Sequence, residues 1–183
     1  MGKTKNKQNN INTSIIKDLV KGNEFSLPQY SGQSILNIPG TAAEKLGVEI
    51  SVPTLSPEIK NQLPDEMNNV IIILFDALSF DRFQRWCNED KSLIWNQLTK
   101  GGLLTPLTSL CPSTTCAAVT SLWTGSPAVQ HGIMGYEMWL KEFGVTANMI
   151  EHKPITYQGG AGNLALAGFN PETFLPVSSI TDH

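Results

Sequence analysis

No apolar run in this 183-residue chain approaches the roughly 20 residues that a membrane-crossing helix needs. Positive charge is scarce as well. Thirteen Lys and Arg stand against sixteen Asp and Glu, a formal net charge of -3, which excludes the broad basic surface of a nucleic-acid scaffold. Cysteine is limited to Cys87, Cys111 and Cys116, an odd set without zinc spacing. That excludes a disulfide framework and fits reduced thiols in the cytoplasm. The Gly-x-Ser-x-Gly elbow of serine hydrolases is missing, and GGAGN, Gly159 to Asn163, lacks the Lys-Ser or Lys-Thr ending of a P-loop and reads as a plain loop. The start, MGKTKNKQNNINTS, has lysines but no apolar core of a signal peptide, and Asn6 occupies the place where a myristoylation signal wants Ser or Thr. A cytoplasmic protein is the expectation.

With 40% hydrophobic residues the chain can build one domain around a real core. Residues 1–22 are polar and Lys/Asn-rich and read as a flexible tail, in which Ile15 to Val20 has a short helical pattern; 23–183 read as the domain. Ser34 to Leu46 predicts a helix broken near Pro39 and stopped by Gly47, and Val52 to Pro64 a proline-punctuated connection. Val70 to Phe75, uninterrupted and β-branched, predicts a strand buried on both faces. Phe80, Phe83, Trp86, Cys87, Ile94, Trp95 and Leu98 keep a helical period that Gly101 and Gly102 end, and Leu103 to Leu110 looks like a second strand. Strand, helix, strand, helix implies an α/β fold with a mostly parallel sheet and flanking helices.

Two places carry chemistry. The central strand ends in Asp76, at the edge where open α/β sheets bind ligands, and a carboxylate there suits a divalent cation. It could equally cap the helix that begins near Ser79 or Phe80. The stretch CPSTTCAAVTSLWTG, Cys111 to Gly125, turns at Pro112 into an apolar helix and puts Thr115 at or beside its N-terminus. There, free amides and the positive end of the helix dipole favour a phosphate. Helix capping by Ser113 to Thr115 is the plainer alternative. A sulfatase would need a Cys or Ser followed by a spaced Pro and an Arg, which this stretch does not supply. Trp123, Tyr136 and Trp139 read as core or surface packing rather than a base-binding slot.

In order and spacing, NVIIILFDALSFDRF, PSTTCAAVTSLWTG and SPAVQHGIMGY resemble the N-terminal half of the type I phosphodiesterase and nucleotide pyrophosphatase branch of the alkaline phosphatase superfamily. The likeness runs from about Asn69 to Gly144, with an echo in SILNIP, Ser34 to Pro39. It implies that Asp76 is the first metal ligand and that Thr115, in a Pro, two residues, nucleophile pattern, is both nucleophile and metal ligand. Ser121, Leu122, Thr124 and Gly125 match the family's helix ending, and His131, Gly132 and Ile133 its HGI turn. Two divalent cations, zinc or manganese, are implied as cofactors and a phosphate ester or nucleotide-like molecule as substrate. The reaction would pass through a phosphothreonine, because a threonine hydroxyl is a poor nucleophile until a cation lowers its pKa.

The chain also departs from that pattern. Ala118 stands where many nucleotide pyrophosphatases carry an Asn that holds the phosphoryl oxygen. The family draws its other Asp and His ligands from the second half of a much longer domain, so the expectation is an alkaline-phosphatase-like fold incomplete at the C-terminus, inactive alone and prone to self-association through an unpaired sheet edge. Asp182 and His183 resemble the family's Asp-His ligand pair but come too soon and lack the following Gly. His152, between Glu151 and Lys153, reads as a solvated edge. The alternative function is a non-catalytic α/β chain that binds an anion or a protein partner at the same helix start.

Overall fold

The computed structural model describes residues 21–22, 26–155 and 163–182. The polar tail lies almost wholly outside them, as do His183 and all of GGAGN except Asn163. Ser34 opens the structured part as the cap of a 3-10 turn, Ile35–Asn37, in a reciprocal box: the Leu36 amide donates to Ser34 Oγ and the Ser34 amide to Asn37 Oδ1. Pro39 sits in the first turn of the next helix, α1 (Ile38–Lys45), where its missing N–H costs nothing. The expected break near Pro39 is therefore a change from 3-10 to α winding. Asn37 Nδ2 donates to the Tyr30 carbonyl, and Thr41 Oγ1 donates to the Asn37 carbonyl while accepting the Leu55 amide at 2.7 Å. These buried bonds fasten the strap of residues 51–56, which continues into α2 (Pro57–Lys60), a helical turn inside the proline-rich connection.

Val70 to Phe75, for all its β-branched composition, forms no regular element and pairs with no strand among the described residues. Its side chains stand in solvent, Ile71 at 86% exposure and Phe75 at 51%. The expectation of a strand buried on both faces is not met. The helical period that follows is split: α3 (Phe80–Glu89) ends at Asp90, whose Oδ1 accepts both the amide and the hydroxyl of Ser92, and α4 (Ile94–Gly101) starts afresh. An Asp turned back on its own backbone competes with helix continuation, which explains the interruption. Trp95 joins the three pieces through edge-on contacts with Phe75 and Phe83. Neither helix has a fully buried residue. The second expected strand, Leu103 to Leu110, contributes one parallel bridge, Thr108 with Ser34.

Among the described residues the sheet is small and antiparallel, not the mostly parallel sheet that the alternation of elements implied. β1 (Glu137–Leu140) and β2 (Val145–Asn148) form a hairpin in register Glu137 with Asn148 and Leu140 with Val145, and β3 (Lys153–Pro154) adds to β2. A tight turn through Gly144 can join only antiparallel neighbours, whereas a parallel pair needs a long crossover. The fold is thus a mixture of helices with one three-stranded antiparallel sheet. Under the sheet, Cys116, Ile133, Leu140, Ala147, Met149, Leu164 and Phe169 form the buried core.

Two features hold α5 (Thr115–Thr124) against this frame. Ala117, Ser121 and Thr124 make one small, buried face against the 3-10 turn and α1, and Gly125 ends the helix in the left-handed region at φ +63°. A Cβ on Gly125 would also lie 2.7 Å from the Val52 Cβ. The second feature is His131, at the end of α6 (Ala128–His131) and buried beside Ser121. The Ile133 amide donates to His131 Nδ1 at 3.1 Å, which leaves the proton on Nε2 to donate to Ser121 Oγ at 3.0 Å. His131 is therefore a neutral structural tie. Burial holds its pKa below the ordinary value, and the nearby Ala117 backbone pulls the other way.

Gly125→Ala is expected to destabilise more than Gly144→Ala in chemical denaturation. Both place a Cβ at positive φ, which costs about 1–2 kcal/mol, but only Gly125 adds overpacking against Val52, while Gly144 has open space around it. For His131 the folded-state pKa is the depressed one, so its contribution is whole above about pH 6.5 and is lost as the pH falls below that value. The thermal midpoint should drop between pH 7 and 5, and His131→Gln should flatten that part of the profile.

Candidate active site

Thr115 is the first residue of α5, and Thr114, in extended conformation, is its cap: Thr114 Oγ1 accepts the Ala117 amide and the Thr114 carbonyl accepts the Ala118 amide. The next helix along is capped likewise by a neighbour. Ser79, not Asp76, caps α3, with its Oγ accepting the Arg82 amide. Both expected cap roles are taken by other hydroxyl residues, Ser79 and Thr114, which leaves Asp76 and Thr115 facing each other. Thr115 Oγ1 lies 3.4 Å from Asp76 Oδ1 and 3.4 Å from Oδ2, although the two residues are 39 apart in sequence. A good hydroxyl hydrogen bond is about 2.7–2.8 Å. The contact is thus weak in itself, and both groups are exposed, with lone pairs accessible to a ligand.

The turn after Asp76 is held by local bonds. Asp76 Oδ1 accepts the Ala77 amide at 2.9 Å, Ala77 takes φ +56°, and Arg82 Nη1 donates to the Ala77 carbonyl at 3.3 Å. A non-glycine residue in the left-handed region is uncommon and stores strain, a frequent companion of functional turns. On the other side, the Cys111 amide donates to Tyr30 Oη at 3.0 Å, tying the turn that leads into α5 to the segment before the 3-10 turn. Tyr30, Ala77 and Arg82 carry no pattern that sequence reading could have caught, because each acts through a backbone group whose position only the fold defines.

At the start of α5 the amides of Thr115 and Cys116 precede the intrahelical ladder and point outward, beside the Thr115 hydroxyl. One face of this mouth is the carboxylate of Asp76. The oxygen separation of 3.4 Å is compatible with both oxygens sharing one ion at the roughly 2.0–2.2 Å of a zinc–oxygen bond. Among the described residues, however, no group of three or more His, Cys, Asp or Glu gathers there or elsewhere. Asp76 and Thr115 therefore fit as two oxygen ligands of a cation and are too few to hold it tightly, since catalytic zinc takes three protein ligands.

The remaining candidates fall elsewhere. Asp182 closes a 3-10 turn, Ile180–Asp182, with its Oδ2 accepting the Ser179 amide at 2.7 Å, so it serves the local backbone. Trp123, Tyr136 and Trp139 are exposed surface residues. His152 is not the solvated edge that its charged neighbours suggested: at φ +52° it is half-buried, and its ring lies 4.9 Å from that of Phe169. Beside Thr115 a cavity of about 500 Å³ opens between α5 and this His152–Phe169 pair. Cys116, one residue past the hydroxyl, is buried in the core, and burial pushes its thiol pKa up, which makes it an inert wall.

No curated protein and no solved structure matches the chain. A family model does: that of type I phosphodiesterase / nucleotide pyrophosphatase, over residues 70–167, just over half of the sequence. The matched span takes in the apolar run, Asp76, Thr115, the whole of α5 and the antiparallel sheet. The chain belongs to the type I phosphodiesterase / nucleotide pyrophosphatase family.

Proposed function

We propose that this chain carries the nucleophile of a metal-dependent phosphodiesterase or phosphatase, with Thr115 as the attacking group and Asp76 as its cation ligand. Family membership supports phosphoric ester hydrolysis at the coarse level. The observation that carries the finer reading is the pairing of Asp76 with Thr115 while Ser79 and Thr114 take the caps. The substrate phosphoryl group would sit at the mouth, where the Thr115 and Cys116 amides and the α5 dipole stabilise its charge. Thr115 Oγ would attack phosphorus, the P–O bond to the leaving group would break, and the departing alkoxide would take up a proton. Water would then cleave the phosphothreonine and restore the hydroxyl. A divalent cation, zinc or manganese, supplies the lowered hydroxyl pKa that makes this attack feasible at neutral pH.

The same reading accounts for the exposed run at Val70 to Phe75. In an alkaline-phosphatase-like sheet it would be a central parallel strand, with further cation ligands and neighbouring strands supplied from beyond the described residues. Without such neighbours, its unpaired backbone and apolar side chains invite self-association. Three unpaired cysteines support a reducing, cytoplasmic setting.

The test is turnover by the full-length protein of a chromogenic phosphomonoester and diester, before and after chelation. Turnover should vanish with chelator and return with zinc or manganese; activity indifferent to chelator would refute the metal-dependent reading. Thr115→Ala should lower kcat/KM by on the order of 10³-fold or more. Thr114→Ala should instead cost ~1 kcal/mol of stability as a lost cap and leave most of the activity. An essential Thr114 beside a dispensable Thr115 would move the nucleophile by one residue.

A further inference from the structure

The cavity beside Thr115 lies largely unused by the chemistry above. Its volume, about 500 Å³, is that of a small-molecule site. Val119 and Thr120 of α5 form one wall, Ile133 and Met149 the floor, and Phe169 and Phe174 the opposite side. The far wall, Phe169 to Leu175, lies beyond the family-matched span. Phe169 anchors it: that residue is buried, and its ring meets those of Phe143 at 5.8 Å, His152 at 4.9 Å and Phe174 at 4.8 Å. A ring already packed before binding spares the ligand the cost of ordering it.

The lining chemistry restricts the occupant. No Lys, Arg, Asp or Glu lines the cavity, and besides the buried Cys116 thiol its one titratable side chain is His152, so the lining suits a phosphate poorly. Hydrogen-bonding groups are few: the Thr120 hydroxyl already donates to the Cys116 carbonyl at 2.8 Å, which leaves the Thr115 hydroxyl at the mouth and the His152 ring against the many polar atoms of a nucleoside. The rest of the lining is aliphatic and aromatic, Val119, Ile133, Met149, Ile150, Phe169 and Phe174 among it, which suits an uncharged aromatic group.

We infer that this cavity holds the organic substituent of the phosphoester, an uncharged aryl group, and so selects aryl esters over nucleoside and small alkyl esters. The phosphoryl group stays at the mouth beside Thr115 while the ring enters between Val119 and Phe169. The link to turnover rests on the nucleophile proposed above; the binding preference does not.

Fluorescence titration of the protein with 1-naphthyl phosphate tests the inference, with methyl phosphate and adenosine 5′-monophosphate as competitors. At least tenfold tighter binding of the naphthyl ester than of either competitor is expected. Val119→Trp, which fills the cavity, and Ile150→Glu, at a rim residue 56% exposed and therefore safe for folding, should each weaken naphthyl binding at least tenfold. Ile71→Glu, on the exposed apolar run, should leave it unchanged, and Thr115→Ala should retain it. Equal affinity for the three phosphates, or naphthyl binding that survives Ile150→Glu and a folded Val119→Trp, overturns the assignment. If no ester is turned over yet Ile150→Glu abolishes naphthyl binding, the nucleophile reading fails and the cavity assignment stands. If Thr115-dependent turnover proceeds with equal kcat/KM for aryl and nucleoside esters, the nucleophile stands and the cavity assignment falls.

Discussion

The site depends on where α5 begins. A helix that started one residue later would make Thr115 its cap and turn the hydroxyl inward to the Ala117–Ala118 amides; starting after Thr114, it keeps that hydroxyl on the outside. The register is fixed from the other end. Gly125, pressed against Val52, ends the helix, Ser121 accepts from His131, and Ala117 lies against the 3-10 turn and α1. Small residues at a helical spacing let these backbones approach closely, and a larger side chain at any of them would push α5 outward and carry Thr115 with it. Helix packing thus sets the orientation of one hydroxyl.

What lies beneath α5 serves the same end. The hairpin of β1 and β2 and the turn through Leu164 and Phe169 bury the far side of the helix, with Cys116 inserted among Leu140, Ala147 and Met149. Cys116 and Ala117 are buried while Thr115, at the first position of the helix, is exposed. The apolar core and the polar mouth are two faces of a single helical turn. Tyr30 completes the arrangement by fixing the backbone at Cys111, just before the turn into the helix.

Much of this was legible in the sequence. The start of α5 and the helix around Pro39 follow from caps and proline punctuation, and the glycine stop of α5 from the family resemblance. Other features were not, the unpaired and exposed state of Val70 to Phe75 first among them. The choice of Thr114 over Thr115 as cap depends on one dihedral, because either side chain satisfies the pattern. The antiparallel hairpin was missed because Glu137 to Asn148 has no strict alternation, its polar and apolar residues being sorted by a turn at Gly144 that only tertiary packing selects. The role of His152 was hidden by charged neighbours on either side, since a left-handed backbone swings its ring towards Phe169.

Asp76 rides on the apolar run and on the helices that Trp95 gathers, a part of the molecule with no fully buried side chain in either helix, whereas Thr115 rides on the packed core. Bringing the two together closes a chain loop of 39 residues, whose entropy grows only logarithmically with length yet is not small. One long hydroxyl–carboxylate contact, at best ~1 kcal/mol, does not offset it. Docking of the Asp76 segment and occupation of the space between the two oxygens are therefore thermodynamically linked: whatever binds both oxygens also holds a sparsely packed segment against the core.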